Sequence, residues 1–243
     1  MAYRAGFLSH LVGSFVWGIF HYFSIFILTY RIQSVFGWSK PDLFLLTGTF
    51  GIMWGMFRFL FVKNFHEFSR TILSGRLDTL LLKPIDSQFL MSIWQVSYDE
   101  LARVIMGIAF VIYTVVTYHI SVTFTSAMLY IVLMILAIIS SYSFWFMVST
   151  IVMWQPRLDN VVGLLYTTAG IMRYPPEIMN QFGSSFVFLI TPLLFAIAIP
   201  TQAFIGKASV VSIAWFTVFT IVLYYAARKF WQYALRSYSS VNN

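Results

Sequence analysis

Residues 127–153 read AMLYIVLMILAIISSYSFWFMVSTIVM, a run from Ala127 to Met153 without one charged side chain. About 20 consecutive apolar residues cross the hydrocarbon core of a bilayer as a helix. A helix keeps every backbone hydrogen bond inside its own segment, which lipid requires. The run is therefore read as a membrane span, and similar runs lie on both sides. They cover roughly Leu11–Tyr30, Leu43–Val62, Leu101–Tyr118 and Val210–Ala227, with two shorter ones at Leu158–Met172 and Phe186–Ile199.

Composition agrees. Of 243 residues, 60% are hydrophobic and 9% charged, against about 25% charged in a soluble domain. Too little polar surface exists to cover a water-soluble globule. The 14 Tyr and 8 Trp suit the lipid–water boundaries, where an apolar ring with a polar tip is at home. A net charge of +7 in such a chain marks loops facing anionic lipid and not nucleic acid. With no cysteine, disulfides and thiolate metal sites are excluded. The length fits one transmembrane domain over residues 1–243.

The expected architecture is all-α, a polytopic membrane protein with six transmembrane helices. The Phe186–Ile199 run is short, broken by Pro192 and ended at Pro200. It is expected to re-enter the membrane from outside, within an extracellular segment 173–207 before the last span. Both termini then lie inside. Of fifteen Lys and Arg, only Arg31, Lys40, Arg173 and Lys207 stay outside, a clear positive-inside bias. Residues 1–10 are expected to form an amphipathic interfacial helix, with Tyr3, Phe7 and Leu11 on one face. Residues 228–243 form a basic cytoplasmic tail.

The stretch 63–100 is the long cytoplasmic loop. Phe65, Phe68 and Ile72 recur at helical spacing, while His66, Glu67, Arg70 and Ser74 share a polar face. Gly75 stands where a helix stop is expected. Arg76, Leu77 and Asp78 open a second apolar run that Lys83-Pro84 terminates, and Asp86 or Ser87 can cap a restart. By spacing alone, a connector resting on lipid and a docking surface for a partner are both compatible with this pattern. In the second span, Gly48, Gly51 and Gly55 put small residues on one face for close helix packing. Arg58, near that span's cytoplasmic end, can snorkel to the boundary. His10, His21, His66 and His119 are scattered without metal-ligand spacing, so no metal site is expected. No Gly-x-x-x-x-Gly-Lys-Ser/Thr stretch exists to cradle nucleotide phosphates.

Residues Gly75-Arg-Leu-Asp-Thr-Leu-Leu-Leu-Lys-Pro-Ile85 resemble the signature of the ABC type-2 exporter permeases, in their bacterial six-span subgroup. Tyr174-Pro-Pro-Glu-Ile-Met, Thr191-Pro, Ile199-Pro-Thr-Gln-Ala and the ending Phe230-Trp-Gln-Tyr-Ala-Leu-Arg-Ser-Tyr resemble that family's outer segment and C-terminus. Pro175-Pro176 departs from it, since a single proline is expected there.

The resemblance implies a transmembrane permease subunit of an ATP-binding cassette exporter, multi-pass in the bacterial inner membrane. It implies a second permease chain, identical or paralogous, and two ATPase subunits. ATP and Mg would be held by those subunits and no cofactor by this chain, which would be no enzyme itself. The loop would carry the ATPase-coupling helix, with Glu67, Phe68, Arg70, Gly75, Arg76, Asp78, Lys83 and Pro84 as its residues. The cargo expected from an aromatic, weakly charged interior is apolar or amphipathic. The alternative is an ion-coupled secondary transporter or channel. Carboxylates inside its spans would favour that class, whereas Asp42, Glu67, Asp78, Asp86, Asp99, Glu100, Asp159 and Glu177 fall in loops or at span ends.

Overall fold

The computed structural model describes residues 2–31, 34–155, 161–181 and 184–238. Nine α-helices occur among them: α1 (Ala2–Leu28), α2 (Lys40–Leu73), α3 (Arg76–Leu81), α4 (Ser87–Ile93), α5 (Leu101–Thr117), α6 (Phe124–Thr150), α7 (Val161–Thr168), α8 (Ser184–Phe204) and α9 (Val210–Ser237). Short 3-10 turns extend α6 through Met153 and α7 through Arg173, and others cover Tyr98–Glu100 and Pro176–Gln181. A two-residue hairpin, Ser34–Val35 against Trp38–Ser39, precedes α2. Its Phe36-Gly37 tip takes φ of 52° and 83°, the left-handed pair that matches a tight turn to strand twist.

The chain is an all-α polytopic membrane protein. Four helical stretches among the described residues are long and apolar enough to cross a membrane: Lys40–Leu73, Tyr98–Thr117, Phe124–Met153 and Val210–Ser237. Shorter apolar stretches lie at Gly18–Leu28 and Leu193–Phe204.

Helix α9 continues ten residues past the expected end of the last span at Ala227, and three further boundaries differ from the sequence-based expectation. First, α2 does not end with its apolar run at Val62 but continues through the amphipathic stretch as one 34-residue helix. Between Arg58 and Ser74 there is no Gly or Pro to break it. Second, the run expected to break at Pro192 and stop at Pro200 is one 21-residue helix, α8. Each proline removes a single ladder bond, a loss that neighbouring helices can absorb in a packed bundle. Third, residues 2–10 continue directly into α1 and form no separate helix. The amphipathic face assigned to Tyr3, Phe7 and Leu11 concerns side chains outside the described ones, as do His10, Arg157 and Asp159.

Helix α2 is the hub. It packs most extensively on α5 and also on α6 and α8, while α6 carries α8 and α9. Phe26 of α1 and Tyr118 after α5 meet Phe44 near the start of α2. Phe146 of α6 and Trp231 of α9 meet Phe68 near its end. So α1 and α5 run antiparallel to α2, whereas α6 and α9 run with it. The C-terminal end of α9 therefore lies at the same end of the bundle as the start of α1.

The opposite end is pinned twice. Trp38 Nε1 donates to Glu177 Oε2 at 3.0 Å, and Lys207 Nζ donates to Asp42 Oδ2 at 2.6 Å. Asp42 also accepts from the Ser39 backbone N–H at 3.1 Å, closing the first turn of α2. The chain from Glu177 to Lys207 thus leaves and returns to one end of α2.

Candidate functional site: the projecting end of α2 and its α3–α4 elbow

At 1.5 Å per residue, α2 is about 51 Å long, against about 30 Å of bilayer hydrocarbon. Even a 40° tilt leaves it about 39 Å tall, so one end stands clear of the core. That end holds the amphipathic stretch. Phe65, Phe68 and Ile72 are buried. Phe65 and Phe68 pack on Phe146, and Phe68 also on Trp231. The opposite face carries Glu67, Arg70 and His66, and the His66 ring stacks on Tyr166 with centroids 5.1 Å apart.

Gly75 ends the helix with φ of 73°, a conformation that costs a side chain energy and glycine little. The Ser74 and Gly75 amides close onto Arg70 and Ile72 carbonyls. The chain turns into α3, whose Leu77 is buried. Arg76 Nη2 reaches back to Glu67 Oε2 at 3.1 Å, and Arg70 lies 3.9 Å from the same carboxylate. Asp78 is half-buried near Tyr238, whose phenol pKa is pushed up by burial and by the adjacent carboxylate.

After α3 the tip is apolar and uncovered: Leu82 is 86% exposed, with Leu81 and Ile85 beside it. Pro84 lies exposed in the turn. Lys83 Nζ sits 4.1 Å above the Trp94 ring. Asp86 caps α4 by accepting from the Phe89 amide at 3.0 Å and pairs with Arg228 Nη2 at 2.5 Å. That guanidinium bond lowers the Asp86 pKa, outweighing partial burial. Trp231 Nε1 donates to Ser87 Oγ at 3.0 Å, tying α9 to the same elbow.

The return path to α5 is laced to α2. Asn64 bonds Gln95 in both directions, at 2.7 and 3.0 Å, and Lys63 Nζ donates to Val96 O at 2.9 Å. A cleft of about 420 Å³ opens between the end of α2, α3 and α4, with Glu67, Arg76 and Trp94 on its walls. The eight residues assigned to coupling are thus gathered on one elbow. Phe68 faces inward; Arg70, Arg76 and Pro84 face out.

The glycines of α2 lie against α5. A Cβ at Gly48 would come 2.6 Å from Val111 Cγ2, and one at Gly55 would come 3.0 Å from the Val104 backbone N. Gly51 meets Tyr22 and the backbone of Gly107. Gly107 is the missed partner. A Cβ there would lie 2.7 Å from Ile52 N. Arg58 does not snorkel freely. It donates to Glu100 Oε1 at 2.7 Å, and Arg103 donates to Glu100 Oε2 at 3.0 Å. Glu100 is 3% exposed and each arginine 20–25%. His21 meets Arg173 at 3.0 Å. Among the described residues, no group of three His, Asp or Glu could hold a metal ion.

Long apolar helices packed into one bundle, with an elbow at the projecting end of α2, define a polytopic membrane protein. The chain belongs to the ABC-2 family of transporter proteins, whose description matches residues 15–242. No curated protein and no solved structure matches it.

Proposed function

We propose that the chain is the transmembrane permease subunit of an ATP-binding cassette exporter in the bacterial inner membrane. It works with a second permease chain, identical or paralogous, and with two ATPase subunits that hold ATP and Mg. The bundle forms the path for an apolar or amphipathic cargo. The observation that carries this reading is the projection of α2 past the hydrocarbon core, ending in the elbow of residues 64–86. A connector resting on lipid would fold over at the membrane surface, whereas this one is continuous with its span. Its tip presents Leu81, Leu82 and Ile85 beside Arg70 and Arg76, an apolar centre with a charged rim as docking surfaces have.

The reading takes six spans, of which α1, α2, α5, α6 and α9 have the length, while α7 with its 3-10 extension, through Arg173, is short for one. The segment 173–207 then enters and leaves from outside, supported by its two attachments to the start of α2. The elbow and both termini share the opposite, basic end. An ion-coupled carrier is less well supported. Its usual device is a carboxylate free to exchange its ion, whereas the deeply buried Glu100 is bracketed by two arginines.

The test is to express the chain tagged in its own cell and purify it in mild detergent. A P-loop ATPase and ATP hydrolysis should co-elute. Leu82→Asp with Arg70→Glu should abolish both while the chain inserts and elutes as before, because these side chains are 86% and 75% exposed. Co-elution and hydrolysis unchanged by the double variant would remove the elbow as the coupling site.

A further inference from the structure

Away from the elbow's tip, a groove of about 590 Å³ opens between α4, α6 and α9. Its upper wall is apolar, formed by Leu136 and Ile139 of α6 and Ile221 of α9. Its floor is polar and fully connected. Arg228 Nη1 donates to Gln88 Oε1 at 3.2 Å, Gln88 Nε2 donates to the Tyr142 hydroxyl at 3.0 Å, and that hydroxyl meets Ser92 Oγ at 2.8 Å. At the mouth stands the Arg228–Asp86 ion pair, with side chains 34% and 41% exposed.

The dimensions match one kind of molecule. Ile221 lies two helical turns from Arg228, about 10 Å along α9. The groove thus runs from the level where charge is tolerated into the level of acyl chains. Arg228 uses two of its five N–H donors on Gln88 and Asp86, which leaves three for an anionic oxygen. Asp86 accepts from the Phe89 and Gln88 amides and from Arg228, and its two oxygens keep acceptor capacity beyond these. A single anion would meet the carboxylate's repulsion, and a single cation the guanidinium's. A ligand carrying both charges side by side suits both.

We propose that this groove holds a glycerophospholipid with a primary ammonium headgroup, of the phosphatidylethanolamine type. Its phosphate lies on Arg228, its ammonium on Asp86, and one acyl chain lies along Leu136, Ile139 and Ile221. The lipid fixes α9 against α4 and so steadies the elbow from the membrane side. The site rests only on the chain spanning a bilayer and stands whether or not the elbow docks an ATPase.

The test uses the purified full chain, exchanged into detergent and titrated with palmitoyl-oleoyl phosphatidylethanolamine, phosphatidylcholine or phosphatidylglycerol, with binding read by native mass spectrometry. Ethanolamine lipid should bind roughly tenfold tighter than choline lipid, whose methylated nitrogen has no N–H for Asp86. Asp86→Asn keeps a competent helix cap. It should bring the ethanolamine-to-choline ratio to about one and raise glycerol-lipid binding, since Arg228 then faces the anion unopposed. Ile139→Trp should fill the groove and cut ethanolamine-lipid binding roughly tenfold. Equal binding of ethanolamine and choline lipids by the unaltered chain would overturn the proposal. So would a selectivity untouched by Asp86→Asn, or no retained lipid because a second copy covers the groove.

Discussion

Replacing Gly107 by Ala adds one methyl group at the crossing of α2 and α5. The new Cβ would stand 2.7 Å from the Ile52 backbone N and 3.0 Å from the Gly51 carbonyl carbon. Both atoms are main chain, so no rotamer change relieves the contact and the two helices must separate. Overpacking against main-chain atoms falls in the upper part of the usual range, about 2–3 kcal/mol. Alanine's better helix propensity returns about 0.8–1 kcal/mol of that, which leaves a net loss of about 1–2 kcal/mol. Gly13→Ala is the matched control, because none of the described atoms lies within 4 Å of the Cβ it would add in α1. It should gain stability from propensity alone. Thermal unfolding in one detergent, followed by a fluorescent fusion on size exclusion, compares the two. Gly107→Ala should melt about 2–8 °C below the parent, and Gly13→Ala at or above it. A Gly107→Ala midpoint equal to the parent's would show that the α2–α5 contact is not held at backbone distance, and the reasoning would fail.

Glu100→Gln should destabilise by about 2–4 kcal/mol, since it leaves Arg58 and Arg103 facing each other without their counter-charge; adding Arg58→Met should recover part of the lost midpoint in the same melting assay. The depressed pKa of Asp86 gives a signed pH dependence. Its contribution is present above the unfolded value near pH 3.9 and is lost as pH falls through the lower folded value. The parent's small lead over Asp86→Asn, about 0–1 kcal/mol for so exposed a pair, should therefore shrink as pH falls below about 3.9 and be lost once the folded-state carboxyl is protonated, and a lead that grew in acid would contradict it.

The helices that cross the membrane were legible where apolarity is uninterrupted, as in α5, α6 and α9. The end of α2 was not, because the reading equated the end of hydrophobicity with the end of the helix. Glu67 and Arg70 are good helix formers, so the backbone had no reason to stop before Gly75. In α8 the prolines misled for the opposite reason: their local cost is real, but packing outweighs it. The apolar and polar faces of residues 64–74 were readable from spacing. The use of that face was not, since spacing reads the same for a connector resting on lipid and for a docking surface. Gly107 had no small neighbour at helical spacing, so its fit against Gly51 is visible only in three dimensions. The Asp86–Arg228 pair joins residues 142 positions apart, beyond the reach of any local pattern.

Because α2 is unbroken from Lys40 to Leu73, it has none of the usual causes of a kink in its exposed half. It therefore behaves as a lever. If Gly51 against Gly107 is the fulcrum, the arm toward the elbow is about 33 Å and the arm toward Lys40 about 17 Å. A sideways push of about 4 Å at Leu73 would then swing the far end about 2 Å the other way. That far end is where Asp42 holds Lys207, with Trp38 just ahead of it holding Glu177. A displacement made at one end of α2 would thus be delivered, reversed and halved, to the anchors at the other.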